Sequence, residues 1–300
     1  MNFELSVNRL KKLLDNLPDQ YNSQLCRLAD SFIDESSHWI KGADDQYPLR
    51  MAQQLFNRSF EDEKHQTRAS LKFFLVVKLY ISLPERLKGL RLPISILNKV
   101  DEDLLRITSE LEVEEYCNGE SLFASHLRVA LGLTIACGAQ EIDLGSAIPI
   151  SSAVLAVYRD KQLSPLLNYL SCRGWGCWYR MHTNSSYLTE FNAEGWDAFY
   201  IKAAEILRQN TNIQGVVGTS WFFDPRLRDI SPRLAYLYNR PMNAGAYSLA
   251  HRSTELDIER ATGTSKTRKD LYLAGKYVPK SYSIFWPRNS LFEWADRLNA

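Results

Sequence analysis

Ile213-Gln214-Gly215-Val216-Val217-Gly218-Thr219-Ser220-Trp221-Phe222-Phe223-Asp224-Pro225 decides how this chain folds. A short apolar run of β-branched and aromatic residues, punctuated by glycine and closed by Asp-Pro, reads as a buried strand ending in a turn. Upstream, Asn192–Arg208 places Trp196, Phe199, Tyr200, Ala203, Ile206 and Leu207 on one side of a helix, and Gly176–Thr183 reads as the strand before it. Downstream, a short helix is expected near Ser231–Tyr238, with Ser231 as N-cap and Pro232 at the first helical position. Strand Ala244–Ala250, helix Thr264–Ala274 closed by Gly275, and strand Tyr282–Trp286 follow. Strands alternating with helices imply a central sheet covered by helices. The expected class is α+β, close to α/β, with a mixed central sheet.

Residues 1 to about 100 read differently. Val7, Leu10, Leu13, Leu14 and Leu17 recur at helical spacing until Pro18, and Tyr21, Leu25, Leu28 and Phe32 repeat the pattern. A third apolar face runs from Leu71 through Leu79 and ends near Pro84, and Asp101–Leu111 makes a further helix. Strand composition begins at Leu131–Gly138 and Gln140–Leu144. The expected organisation is a helical amino-terminal region, 1–115, suited to docking a protein partner, and an α/β domain, 116–300. Six of the seven tryptophans lie after residue 170, so the larger aromatic core belongs to the second.

With 45% apolar and 24% charged residues, the composition is that of an ordinary globular protein. The longest apolar run, Phe73–Val77, falls far short of the ~20 residues that span a membrane, and no signal-peptide pattern opens the chain. Five scattered cysteines, Cys26, Cys117, Cys137, Cys172 and Cys177, are an odd set without framework spacing. A reducing, cytoplasmic setting is expected. The net charge of +1 argues against nucleic-acid binding as the main function, although Lys266, Arg268, Lys269, Lys276 and Lys280 interleave with Tyr272, Tyr277 and Tyr282. The charge is unevenly spread: residues 101–120 hold eight acids against Arg106, while 226–288 hold twelve Lys/Arg against five Asp/Glu. The basic segment suits an anionic ligand.

Among the titratable residues, His182 stands at the end of a strand, where α/β folds carry functional groups. It is the candidate general base, with Glu190 or Asp224 as its partner. The same histidine admits a mononuclear metal site completed by Glu190 or Asp143 and His251, but no metal-binding spacing is present and none is expected. Gly218-Thr219-Ser220-Trp221-Phe222 lacks the second glycine of a nucleophile elbow. Cys137 is a candidate thiol nucleophile. There is no Walker or dinucleotide fingerprint.

Residues 213–288, about a quarter of the chain, resemble the acyl-coenzyme A binding half of the GNAT family of N-acetyltransferases. In that family a strand ends near a proline, the chain turns into a helix whose amides hold the pyrophosphate, and a later helix carries Leu-Tyr before a glycine and a final strand. Here Gly215–Arg228 matches the strand and turn, Ser231–Leu237 the helix, and Ser265–Gly275, with Leu271-Tyr272, the later helix. The family's glycine loop is missing after Pro225, where Arg226-Leu227-Arg228-Asp229-Ile230-Ser231-Pro232 stands instead. The resemblance implies a GNAT-like sheet and an acyl-CoA co-substrate, with the acyl group passing to a small amine or similar nucleophile. Arg226, Arg228, Ser231 and Arg233 would hold phosphate at a helix start, and Tyr272 would protonate the leaving thiolate. It also implies that the strand at 213–223 splays from that at 244–250 to seat the donor. Two other classes remain open: a non-catalytic interaction protein, and the metal enzyme built on His182.

Overall fold

A computed structural model describes residues 3–39, 47–113, 120–146, 149–161 and 163–299. The chain forms two compact units, Met1–Cys137 with Ile142–Leu144, and Gly138–Glu141 with Gly145–Ala300. The boundary expected between 115 and 116, like Cys117, falls outside the described residues.

The described residues of the first unit form six helices: α1 (Glu4–Leu14), α2 (Asp19–Trp39), α3 (Tyr47–Ser59), α4 (His65–Lys88), α5 (Ile94–Val113) and α6 (Glu120–Ala130). Strand β1 (Thr134–Ala136) follows, and β2 (Glu141–Ser146) begins where the chain passes between the units. The periodicity that predicts these helices also fixes their inward faces, since Leu10, Leu25, Phe32, Leu75, Leu79 and Ile96 are all fully buried. α4 runs through Pro84 instead of stopping there. Proline costs the helix one amide donor, but Leu83 and Leu87 on either side are buried, and Arg86 donates to the carbonyls of Leu79 and Ala130. That guanidinium is driven down to about 10 by burial. His126 packs edge-on to Tyr80 with ring centroids 6.1 Å apart; burial, helped by Arg106, drives its pKa down to about 4.

The second unit continues with α7 (Ile150–Asp160), α8 (Ser164–Ser171), β3 (Cys177–His182), α9 (Ala193–Gln209) and β4 (Ile213–Ser220). Then come α10 (Leu227–Ile230), α11 (Ala235–Asn243), β5 (Tyr247–Ala250), α12 (Glu255–Gly263), α13 (Lys266–Leu273), β6 (Tyr282–Pro287) and α14 (Arg288–Asn299). The strands hydrogen-bond in the order β1-β2-β3-β4-β6-β5. The fold is thus α+β, with a six-stranded mixed sheet flanked by helices. β3 and β4 run parallel, whereas β6 is antiparallel to both β4 and β5 and lies between them. The strand at 213–220 therefore does not border the strand at 247–250, and the splay expected there does not form. The shorter β5 has a local cause: Gly245 adopts φ 86° in a turn at 244–245, and the strand begins at Tyr247.

Alternation along the strands sorts the core into two layers. On one face Trp286, paired with Val216, meets Tyr200 of α9 at 4.7 Å and Trp294 of α14 at 5.1 Å. On the other, Val217 and Phe285 pack with Trp178, Tyr169 and the small residues Ala153 and Ala156 of α7. Between Cys177 and Tyr179 the register advances two residues on β3 and three on β4, so Gln214-Gly215 bulges. A Cβ at Gly215 would collide with the Trp286 carbonyl and stand 2.7 Å from Trp178 Cζ3. The carboxyl end of α9 is closed by Arg288, which donates to the carbonyls of Leu207, Thr211 and Ile213 at 2.7–2.9 Å.

Candidate active site

The parallel ladder between β3 and β4 is paired, across the bulge, from Cys177–Ile213 to Arg180–Val217. Both strands run on past it, to His182 and Ser220. Beyond the last paired residues a cleft of about 460 Å³ opens, walled by Met181, His182 and Thr183 from β3 and by Gly218, Thr219 and Ser220 from β4. Glycine at 218 keeps this gap from closing on itself: a Cβ there would stand 2.6 Å from Met181 Cε and 3.3 Å from the Phe223 ring.

The aromatic turn after β4 supplies another wall. Trp221–Phe223 form one 3-10 turn, and the rings of Phe222 and Phe223 stand 6.0 Å from that of Trp196 on α9. Trp196 lines the cleft, and its buried indole N–H has no hydrogen-bond partner among the described residues. Such a donor is costly to leave unmatched. Trp221 is held by Arg268, whose guanidinium stacks on its ring at 4.7 Å. Arg268 is itself buried and donates to the Ala261 carbonyl, Ser231 Oγ and Thr264 Oγ1; burial lowers its pKa.

Polar groups occupy the side formed by α12 and β6. Asp257 closes a capping box with Thr254 and accepts from Ser281 Oγ at 2.5 Å. One turn on, Arg260 lines the same space and is exposed, with no ion pair or side-chain hydrogen bond among the described residues. Across the sheet, Thr219 Oγ1 lies 2.5 Å from Ser283 Oγ, and Ser283 Oγ lies 2.7 Å from His251 Nε2.

The residues expected from sequence are dispersed by comparison. His182 lines the cleft. Glu190 does not: its carboxylate lies against Gly138, where an added Cβ would be 3.4 Å from Oε2. Arg226 is engaged by the fully buried carboxylate of Asp224, at 3.0 Å from Nε and 2.5 Å from Nη2, and donates to the Val278 carbonyl. Its guanidinium also stacks on Tyr277 at 4.8 Å. Tyr277 donates to the same carboxylate, and its own pKa is pushed well up by burial and by Asp224. Arg228 pairs at the surface with Asp229, and Arg233 is exposed. Ser231 does not cap a helix, because a 3-10 turn, Pro232–Leu234, precedes α11 and the hydroxyl is taken by Arg268. Tyr272 sits half-buried on α13 and is not among the residues that wall the cleft.

Among the described residues no three His, Cys, Asp or Glu side chains gather as a metal would require. Asp143 is bound within the first unit by Arg128 and Thr134. Cys137 is buried, and the Cys172 thiol is pushed up to about 11 by burial, the opposite of an activated nucleophile. No described helix is long and apolar enough to cross a membrane. Sequence reasoning passed over Thr219, Asp257, Arg260 and Ser283, and weighed His251 only as a metal ligand. Their one signal was alternation: Thr219, Ser281 and Ser283 are polar at positions that a fully buried strand would fill with apolar side chains.

No protein-family model matches the sequence, and no curated protein matches it. Among solved structures, an acyltransferase mutant in complex with octanoyl-CoA aligns over 95% of this chain and 84% of its own, with 10% identity and a TM-score of 0.51. An acyltransferase in complex with CoA and 10C-Teicoplanin aligns over 96% of this chain and all of its own, with 11% identity and a TM-score of 0.46. At such identity the first likeness is one of fold: this chain is built as that octanoyl-CoA-bound acyltransferase is built.

Proposed function

We propose that this protein is an acyltransferase that moves an acyl group from an acyl-CoA to a small amine or similar nucleophile, in the cleft between the ends of β3 and β4. The observation that carries the reading is that a parallel pair stops pairing at Arg180–Val217 while both strands continue as the walls of an open space. A gap of this kind is where the GNAT resemblance seats the donor, here one strand earlier than the sequence suggested. The fold likeness to an acyltransferase supports the same reading.

The chemistry follows from the wall residues. The acceptor's lone pair attacks the thioester carbonyl, the C–S bond breaks, and coenzyme A leaves as a thiolate. His182 is the titratable group on the β3 wall that exchanges a proton with the reacting atoms. Arg260 is suited to a phosphate of the donor. Apolar Met181, Phe222 and Phe223 exclude water, which strengthens every polar contact inside.

Binding is tested by thermal shift with octanoyl-CoA and acetyl-CoA, since a ligand at 100 times its dissociation constant stabilises by about 2.7 kcal/mol. His182→Gln should bind the donor unchanged and lower kcat by ~10²-fold or more. A protein that is not stabilised by any acyl-CoA, or a His182→Gln enzyme of wild-type kcat, would count against these assignments.

A further inference from the structure

Resting on that reading, we propose that Thr219, Ser283 and His251 form a proton relay that draws the acceptor's proton out of the cleft, with Thr219 as the catalytic residue and Ser283 and His251 positioned behind it.

The sheet itself assembles the relay. Thr219 on β4 and Ser283 on β6 are register partners, so their side chains leave the same face directly opposite one another. Ser283 is in turn the partner of Leu249 on β5, and His251, two residues further, projects from that same face. The turn out of β5 is fixed where it matters, by the hydrogen bond from the His251 amide to the Ser281 carbonyl at 2.8 Å. Two short contacts, 2.5 Å and 2.7 Å, result. One end of the chain opens on the cleft, because Thr219 is exposed there, while Ser283 is 3% exposed. A buried hydroxyl in a strand otherwise filled by Ile284, Phe285 and Trp286 contributes nothing to apolar packing. Its position is explained by the two groups it joins.

Donor and acceptor capacity gives the direction. A serine hydroxyl has one proton. If Ser283 donates to His251 Nε2, it accepts from Thr219, and the lone pairs of Thr219 Oγ1 face the cleft. In the transfer step the acceptor amine forms its N–C bond and the thioester C–S bond breaks. The amine proton passes to Thr219 Oγ1, the threonine proton to Ser283 Oγ, and the serine proton to His251 Nε2. The products are the amide, the coenzyme A thiolate and a His251 imidazolium, so charge and atoms balance. His182, on the opposite wall, is then left to meet the departing sulfur.

Two measurements on the full chain test this. Long-range proton–nitrogen NMR of the imidazoles, with His251 assigned from His251→Gln, should show His251 protonated at Nδ1 and bare at Nε2 at pH 8; a proton resident on Nε2 overturns the relay without any appeal to turnover. In the second, release of coenzyme A from octanoyl-CoA is followed with water as acceptor. Thr219→Val, isosteric and at an exposed position, should lower kcat about 100-fold with KM for octanoyl-CoA within twofold, and Thr219→Ser should recover at least a third of the wild-type rate. Ser283→Ala and His251→Phe should match Thr219→Val, and the double variants should lose no more than the singles. Undiminished turnover in Thr219→Val sinks the relay and leaves acyl transfer standing. A wild-type protein that neither binds octanoyl-CoA nor releases coenzyme A sinks both.

Discussion

Replacing Arg226 by methionine separates a structural arginine from a phosphate ligand. Asp224 is completely buried, and its carboxylate is met by Arg226 through Nε, Nη2 and the Arg226 amide, and by Tyr277 at 3.4 Å. Without the guanidinium, one neutral phenol and one amide face a buried negative charge. Breaking a buried pair by removing one partner typically costs about 3–5 kcal/mol. The Arg226 side chain is 43% exposed, so water already screens part of the attraction, and the lower end, about 3 kcal/mol, is the expected loss. For a unit of this size that lowers the melting temperature by roughly 6–12 °C. Calorimetry of Arg226→Met against wild type gives the number, and the Asp224→Leu/Arg226→Met pair, which removes both charges, should recover more than half of it. Octanoyl-CoA affinity of the folded single variant should stay within twofold of wild type. A loss under 0.5 kcal/mol by the same measure, or an intact fold with tenfold weaker donor binding, would show that Arg226 faces a ligand and not Asp224.

Two further outcomes follow from packing and from burial. Gly215→Ala places a methyl group against the Trp286 carbonyl and Trp178, and should destabilise the second unit by about 2–3 kcal/mol in urea unfolding; a neutral result would mean that the bulge relaxes freely. His126 is neutral in the fold, with its pKa driven down to about 4, while in the unfolded chain it titrates near its reference ~6.5. As pH falls below that value the unfolded state takes up the proton first, so stability is full above it and is lost towards pH 4. The expected loss between pH 7.5 and pH 5 is about 2 kcal/mol. His126→Leu should flatten that slope, as read by hydrogen exchange of α4 and α6.

The strands at 177–182, 213–220 and 282–287 and helix α9 were legible because their apolar residues recur at a single period and end at Gly, Pro or Asn. Nothing marked α7 and α8, whose Val154, Leu155, Tyr158 and Leu167 point outward and blur the amphipathic pattern. Strand order was not legible at all. Local sequence cannot say that β6 lies between β4 and β5, and that insertion is why the open gap falls beside β3. His182 could be found because a strand end is a local feature. The fate of Arg226 was hidden because the groups that hold it and Asp224 in place, the Val278 carbonyl and Tyr277, meet them only in the fold. Thr219, Ser283 and His251 meet only across three strands, and no spacing along the chain records that meeting.

The position of β6 has a consequence for how the protein comes into being. β6, the last described strand in chain order, is an inner one: until Tyr282–Pro287 have left the ribosome, β4 and β5 each lack the neighbour they share. Apolar Val216 and Val217 then present an open ladder edge, the kind that invites pairing with another chain. The second unit therefore closes only when residue 286 can reach residue 216. A ribosome stalled before Ser281 should hold a nascent chain whose second unit is protease-sensitive and prone to aggregate, while the chain with β6 free to insert should be resistant.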